Sequence, residues 1–147
     1  MRKGVRGFHP GRLRSAREER RARTGHATGR WTQEHVAELL GVERTNYLAW
    51  EHGGRTPSPA TLVRLAALLG VAPHELTDVD PDQATLVDLR QWAGLTQGQV
   101  ADKLDVSRSL YAAIERGERA LDERHRAALS EIFGVTSDRV RAAAERG

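Results

Sequence analysis

Arg44 and Arg108 stand 64 residues apart in a chain of 147. Each is followed by a hydroxyl, Thr45 or Ser109, and five residues on by an alanine, Ala49 or Ala113. These side chains suit one kind of chemistry. A guanidinium can lay a two-pronged fork on guanine, worth about 1–3 kcal/mol of discrimination against a wrong base. A hydroxyl can bond several bases and discriminates poorly, and an alanine can touch a thymine methyl. Arg55 and Arg119 follow eleven residues after each arginine. They would contribute phosphate contacts, hence affinity and salt dependence rather than sequence preference.

Other chemistries find little support. The chain has no cysteine, so no disulfide and no thiolate metal site. Its six histidines are scattered without a zinc-binding spacing, so no metal and no cofactor is expected. No glycine-rich phosphate loop and no nucleophile motif stands out. Ser107 and Ser109 read as cap and contact residues rather than nucleophiles. The expectation is therefore a binding protein and not an enzyme.

The elements that carry these residues occur twice. WTQEHVAELLGVERTNYLAWEHG (31–53) and LTQGQVADKLDVSRSLYAAIERG (95–117) align without a gap at an offset of 64. Fifteen of the forty pairs from 32 to 71 are identical, where chance gives only a few.

Each copy reads as short helices. Thr96 is an N-cap candidate and Gln99 completes a capping box. Val100, Ala101 and Leu104 then recur at helical spacing. Ser107 opens a helix bearing Leu110, Tyr111, Ile114 and Glu115, and Gly117 stops it. Asp122 caps a further helix through Leu129 and Phe133. The first copy repeats this with Thr32, Glu43 and Ser58, although Glu43 is the poorer cap. Two helices of about eight residues packed through Ala37 or Ala101 across a tight turn make a helix-turn-helix. Trp31, Trp50 and Trp92 are expected in the core, as are Tyr47 and Tyr111.

The second copy, GLTQxxVAxxLxVSRSxYxxIERGER, resembles the Cro/repressor-type (XRE-like) helix-turn-helix domain. The first, LGVxRxxYxxWExGxRxPSxxTLxRLAxLLGV, resembles it through the fourth and fifth helices. The resemblance covers nearly all of residues 31–143. It implies an all-α protein of two tandem lambda-repressor-like five-helix domains, each placing its second motif helix in the major groove of double-stranded DNA. Carried over, Glu43, Arg44, Thr45 and Ala49 occupy base-facing positions in the first copy. Ser107, Arg108, Ser109 and Ala113 do so in the second. Gln33 and Gln97 would contact phosphate, as would His52, Arg55, Arg116 and Arg119. The resemblance also implies a structural pair, Arg90 with Glu115. The partner of Glu51 in the first copy is left open.

The first copy departs from the pattern ahead of Trp31. Leu89-Arg90 lies six to seven residues before Thr96, whereas Leu13-Arg14 lies eighteen to nineteen before Thr32. Roughly a dozen residues are inserted, centred on a loop at 24–30. RLRSAREERRAR offers only Leu13 and Ala16 as an apolar face. It is either a helix completing the first domain with a basic face toward phosphate, or an arm that orders on DNA. Glu43 can accept from cytosine but repels phosphate. Asp105 stands where the first copy has Gly41, in a turn that favours glycine.

Charge is uneven. The net +3 combines +8 over residues 1–30, −4 over 31–80 and −1 over 81–147. The expected domains are a basic arm (1–10), a first helix-turn-helix domain (11–76), an acidic linker (77–85) and a second domain (86–147). The leading expectation is a sequence-specific DNA-binding transcriptional regulator acting as a repressor. The alternatives are a protein-interaction adaptor, antitoxin-like or coactivator-like, and a plasmid or chromosome maintenance factor. The partners would be double-stranded DNA, with a homodimer, an internal pseudo-dimer or a protein partner open. With no apolar run long enough for a bilayer, no membrane is expected and the location is read as cytoplasmic, on the nucleoid.

Overall fold

Six short polar side chains open six helices. In the computed structural model, which describes residues 4–24 and 31–146, Thr32, Ser58, Thr85, Thr96, Ser107 and Asp122 each accept from the backbone N–H three residues on. Each removes one orphan donor from a helix start. Glu43 makes no such bond, so its helix begins without a side-chain cap.

The helices are α1 (Pro10–Thr24), α2 (Gln33–Leu40), α3 (Arg44–His52), α4 (Pro59–Leu69), α5 (Leu86–Trp92), α6 (Gln97–Leu104), α7 (Arg108–Glu115), α8 (Glu123–Phe133) and α9 (Ser137–Arg146). Among the described residues the fold is all-α, with 3-10 turns at Pro73–Leu76 and Pro81–Gln83. The chain divides into two compact units between Asp78 and Val79.

The first unit holds α1–α4 around Leu13, Val36, Leu40, Tyr47, Leu62, Leu65 and Leu69. The second holds α5–α9 around Leu86, Leu89, Val100, Leu104, Tyr111, Ile114, Leu129 and Val140. Trp31 and Trp50 are buried, and Trp92 packs against the second core.

Residues 10–24 form a helix, the first of the two alternatives the sequence allowed. It buries Leu13, Ala16 and Arg17. Those three take the roles of Leu86, Leu89 and Arg90 in α5. The matching arginines are 73 residues apart while the rest of the repeat is offset by 64, so the insertion is nine residues, not a dozen. Part of it lengthens α1, whose late turns place Arg20 4.9 Å over the Trp31 ring. Of the inserted loop expected at 24–30, Thr24 closes α1 and residues 25–30 lie outside the described residues.

The units differ at their ends. In the second, α9 packs back on α5, and Arg139 and Arg146 donate to the carbonyls of Pro81 and Ala84 at 2.7 and 3.0 Å. In the first, the fifth helix is reduced to the turn Pro73–Leu76, because the chain beyond runs extended toward Pro81. Leu76 and its counterpart Val140 are both fully buried. The space is closed from the other end of the chain. His9 N–H donates to Leu76 O at 2.9 Å, Asp78 N–H to Gly7 O at 2.9 Å, and Val5 N–H to Pro57 O at 3.0 Å. The segment read from its charge as a basic arm is therefore, from Gly4 on, seated on the first unit, with Val5 3% exposed.

Candidate nucleic-acid interface

Each unit builds the same two-helix element from the same bonds. Val42 N–H donates to Ala37 O and Val106 N–H to Ala101 O, both at 3.0 Å, closing the turn between the motif helices. Ala37 and Ala101 are each 2% exposed, which lets the helix backbones meet. Gly41 (φ 71°) and Asp105 (φ 58°) supply the left-handed residue that ends the first motif helix.

A buried ion pair ties the end of the second motif helix to the first helix of its unit. Arg90 donates to Glu115 through Nε (2.5 Å) and Nη2 (3.4 Å), and through Nη1 to Leu95 O (2.9 Å). This is the structural pair the resemblance implied. The first unit supplies the partner that sequence left open. Arg17 donates to Glu51 through Nε (2.7 Å) and Nη2 (3.1 Å), and through Nη1 to Trp31 O (3.3 Å). Trp31 is the counterpart of Leu95, so the two arginines make the same three contacts.

Burial works to raise the Glu51 carboxyl, but the bonds from Arg17, Tyr47 and Gln33 outweigh it and hold it below the usual carboxylate range. Burial works to lower Arg17, and the Glu51 carboxylate outweighs that too, leaving it raised. The Tyr47 hydroxyl, donating to Glu51 Oε2 at 2.6 Å, is pushed well above the ordinary phenol range, first by burial and then by Glu51. Tyr111 is raised too, first by burial and then by the charge of Glu115, although its hydroxyl makes no hydrogen bond among the described residues.

Gln33 and Gln97 also belong to these networks. Their Nε2 atoms donate to Glu51 Oε1 (2.8 Å) and Glu115 Oε1 (2.9 Å). Both stay half-buried at the start of the first motif helix. One amide hydrogen of each is thus engaged inside the protein, leaving the second for an outside acceptor.

The residues expected to face bases lie at the opposite end of the second motif helix. Glu43, Arg44 and Thr45 are exposed, and Ala49 is half-buried one turn on. Ser107, Arg108 and Ser109 are exposed and Ala113 half-buried in the same way. In the first unit a surface hollow of about 650 Å³ brings Glu43, Thr45, Ala49 and Arg55 together with Asn46. Arg44 and His52 are exposed outside its lining.

Asn46 was not anticipated. Its Oδ1 accepts from Arg55 Nη1 at 2.6 Å, which aims that guanidinium along the helix face. Its position two residues after Arg44 was the available signal. Arg17 was missed because the insertion moved it out of register with Arg90. In the second unit Arg116 pairs with Glu118 at 2.8 Å on the open surface, so it is shared with a neighbouring carboxylate rather than held ready for phosphate. Arg119 has no hydrogen-bond or ion-pair partner among the described residues.

No group of three or more His, Cys, Asp or Glu suited to a metal occurs among the described residues, and no described helix is long and apolar enough to cross a membrane.

The family pattern described as Helix-turn-helix matches residues 29–76 and again 86–140. The chain belongs to the XRE-type helix-turn-helix family. Two relatives in Bacillus subtilis (strain 168) carry the motif. The chain is 29% identical over 103 residues to the uncharacterized HTH-type transcriptional regulator YqaE, covering 65% of this chain and 84% of that protein. It is 31% identical over 68 residues to the HTH-type transcriptional regulator AnsR, covering 44% of this chain and 59% of that protein. No solved structure matches the chain significantly. The two matched segments of this helix-turn-helix protein contain both motif helices of each unit and every base-facing candidate.

Proposed function

We propose that the chain is a sequence-specific double-stranded DNA-binding transcriptional regulator that acts as a repressor, with both units reading bases. The observation that carries this is the doubled presentation of Arg44 and Arg108. Each stands exposed at the open N-terminal turn of a helix whose far end is locked by a buried Arg–Glu–Gln network. A rigid helix with an exposed arginine at its leading end is what reading guanine in the major groove requires. The names of the two relatives support the regulatory role, and occupancy of an operator is the simplest way such a protein represses.

In this reading Thr45 and Ser109 make tolerant base contacts, and Ala49 and Ala113 set close approach. Glu43 accepts from cytosine. Arg55, Arg119, His52, Gln33 and Gln97 face phosphate and set affinity, and Arg116 joins them only on leaving Glu118. Selection of bound sequences from a random duplex pool at physiological salt, with wild type, Arg44→Ala and Arg108→Ala, tests it. A two-part motif that loses a different part in each variant supports two reading units. Loss in one variant alone restricts reading to that unit. A pool with no enriched motif overturns operator reading and leaves the adaptor.

A further inference from the structure

We propose that the second unit carries a docking groove for a short acidic peptide with one aliphatic side chain, contributed by a protein partner. A groove of about 350 Å³ runs between the end of α7, the loop before α8, and α9. Its apolar side chains are Ile114, Ala120, Leu121 and Ala144. Such a volume lies at the lower end of the range for specific sites.

The first unit shows what this place accommodates. By the offset of 64, Gly117, Ala120 and Leu121 of the groove correspond to Gly53, Thr56 and Pro57. In the first unit the chain's own N-terminal segment lies against Thr56 and Pro57, while Gly53 stays exposed. Val5 is buried with its N–H on Pro57 O at 3.0 Å. Gly4 lies so close to Thr56 that an added Cβ would fall 1.6 Å from its Oγ1. Pro10 Cγ lies 3.7 Å from where a Cβ on Gly53 would stand. The first unit therefore seats a turn-containing segment with one buried aliphatic residue, Val5, where the second has an open groove.

Charge selects the occupant. Arg119, Arg126 and Arg141 line the groove against one carboxylate, Glu145. Arg126 reaches Ser137 Oγ at 3.2 Å and Glu123 at 3.7 Å, and Arg141 reaches Asp138 at 3.5 Å. Arg119 is left without a partner among the described residues. A segment like Gly4–His9, which carries Arg6, would meet like charge there. A segment with carboxylates beside its aliphatic residue would meet a complementary rim.

Fluorescence anisotropy on the full chain tests this with two labelled peptides. One copies Gly4–His9, and the other is the same peptide with R6D and H9D. The acidic peptide is expected to bind about tenfold more tightly than the basic copy, a difference of about 1.4 kcal/mol, and more weakly as salt rises. Leu121→Trp, which fills the slot, and Arg119→Ala are each expected to weaken it at least about fivefold. Ala144→Trp fills the groove from the other wall and serves if Leu121→Trp fails to fold, as judged by helicity and cooperative unfolding. Absence of binding to the wild type, a tighter basic copy, or binding unchanged in a folded slot-filling variant overturns the proposal. The peptide is titrated without DNA, so none of these outcomes bears on base reading by Arg44 and Arg108.

Discussion

Arg17 holds Glu51 in a two-point grip, with Nε and Nη2 donating at 2.7 and 3.1 Å to the two carboxylate oxygens of a residue that is 2% exposed. The pair joins the long helix α1 to the far end of α3, so the orientation of the first motif pair depends on it. Removing one member leaves the other buried and charged, which costs about 3–5 kcal/mol. Arg17→Ala is therefore expected to unfold the first unit well before the second. Tryptophan emission in a denaturant series separates them, because Trp31 and Trp50 belong to the first unit and Trp92 to the second. A single transition at the wild-type midpoint would show that the pair carries no weight.

The chain contains two tyrosines, Tyr47 and Tyr111, both fully buried beside a glutamate. Their folded-state pKa values are raised, so the folded state keeps protons that the unfolded state would release. The stability this represents is fully present below the unfolded phenol value of about 10 and is lost as pH rises above it. Tyrosinate absorbance is expected to stay flat through about pH 10 and then to appear together with loss of helicity. A smooth titration near that pH with helices intact would contradict the burial. At the acid end the sign reverses. Glu51 is depressed, so its contribution is present above the ordinary glutamate value and is lost as pH falls through the folded one.

The repeat, the caps and both motif helices were legible because each rests on local chemistry. Thr96 with Gln99, Ser107 with Leu110, and the glycines after α4 and α8 act within a few residues of themselves. The Arg90–Glu115 pair was reachable through resemblance. What was not legible depends on contacts distant in sequence. Arg17 could not be assigned while α1 was in the wrong register, since Leu13-Arg14 mimics Leu89-Arg90 in type but Ala16-Arg17 matches it in place. The docking of Val5 on Pro57 joins residues 52 apart and leaves no periodic trace. Charge alone suggested a basic arm, and backbone bonds with Pro57, Leu76 and Asp78 seat it on the first unit.

Asp105 offers a test that the repeat itself designs. It ends α6 at φ 58°, where the first unit uses Gly41 at φ 71°. A side chain in that region costs about 1–2 kcal/mol relative to glycine, less for aspartate, whose short polar group tolerates it. Asp105→Gly is expected to stabilise the second unit by about 0.5–1 kcal/mol, and Gly41→Asp to destabilise the first by a similar amount. Chemical denaturation measures both. Effects of the same sign at the two sites would mean that backbone strain does not govern this turn.

Gly4 is fixed by a close approach rather than by its backbone angles. A Cβ there would collide with Thr56 Oγ1, and both that atom and its Cβ lie within 3.0 Å. Gly4→Ala must displace the segment, at an overpacking cost of about 1–3 kcal/mol. Freed from Pro57, the exposed Arg6 becomes an easy cut for trypsin. Limited proteolysis is expected to remove the first six residues faster in the variant, and equal rates would place the segment's anchorage elsewhere.

Arg108 and Arg119 differ in what surrounds them, and that difference predicts different losses. Arg108 is exposed on the first turn of α7, one residue beyond the Ser107 cap, where a helix end can enter a groove and reach a base edge. Arg119 is exposed in the loop past the helix, where only backbone phosphate is within reach of such a docking. Arg108→Ala is expected to lower affinity for the selected site by about 1–3 kcal/mol and to leave binding to unrelated DNA nearly unchanged. Arg119→Ala should weaken binding to both sequences alike and reduce the slope of log K against log salt by about 1. Arg55→Ala in the first unit should act like Arg119→Ala, and Asn46→Ala should reproduce part of its loss, because Asn46 holds that guanidinium at 2.6 Å. Titrations of cognate and scrambled duplexes at several salt concentrations measure all four variants. If Arg108→Ala and Arg119→Ala gave the same ratio of specific to non-specific loss, the division between base-reading and phosphate-holding arginines would fall.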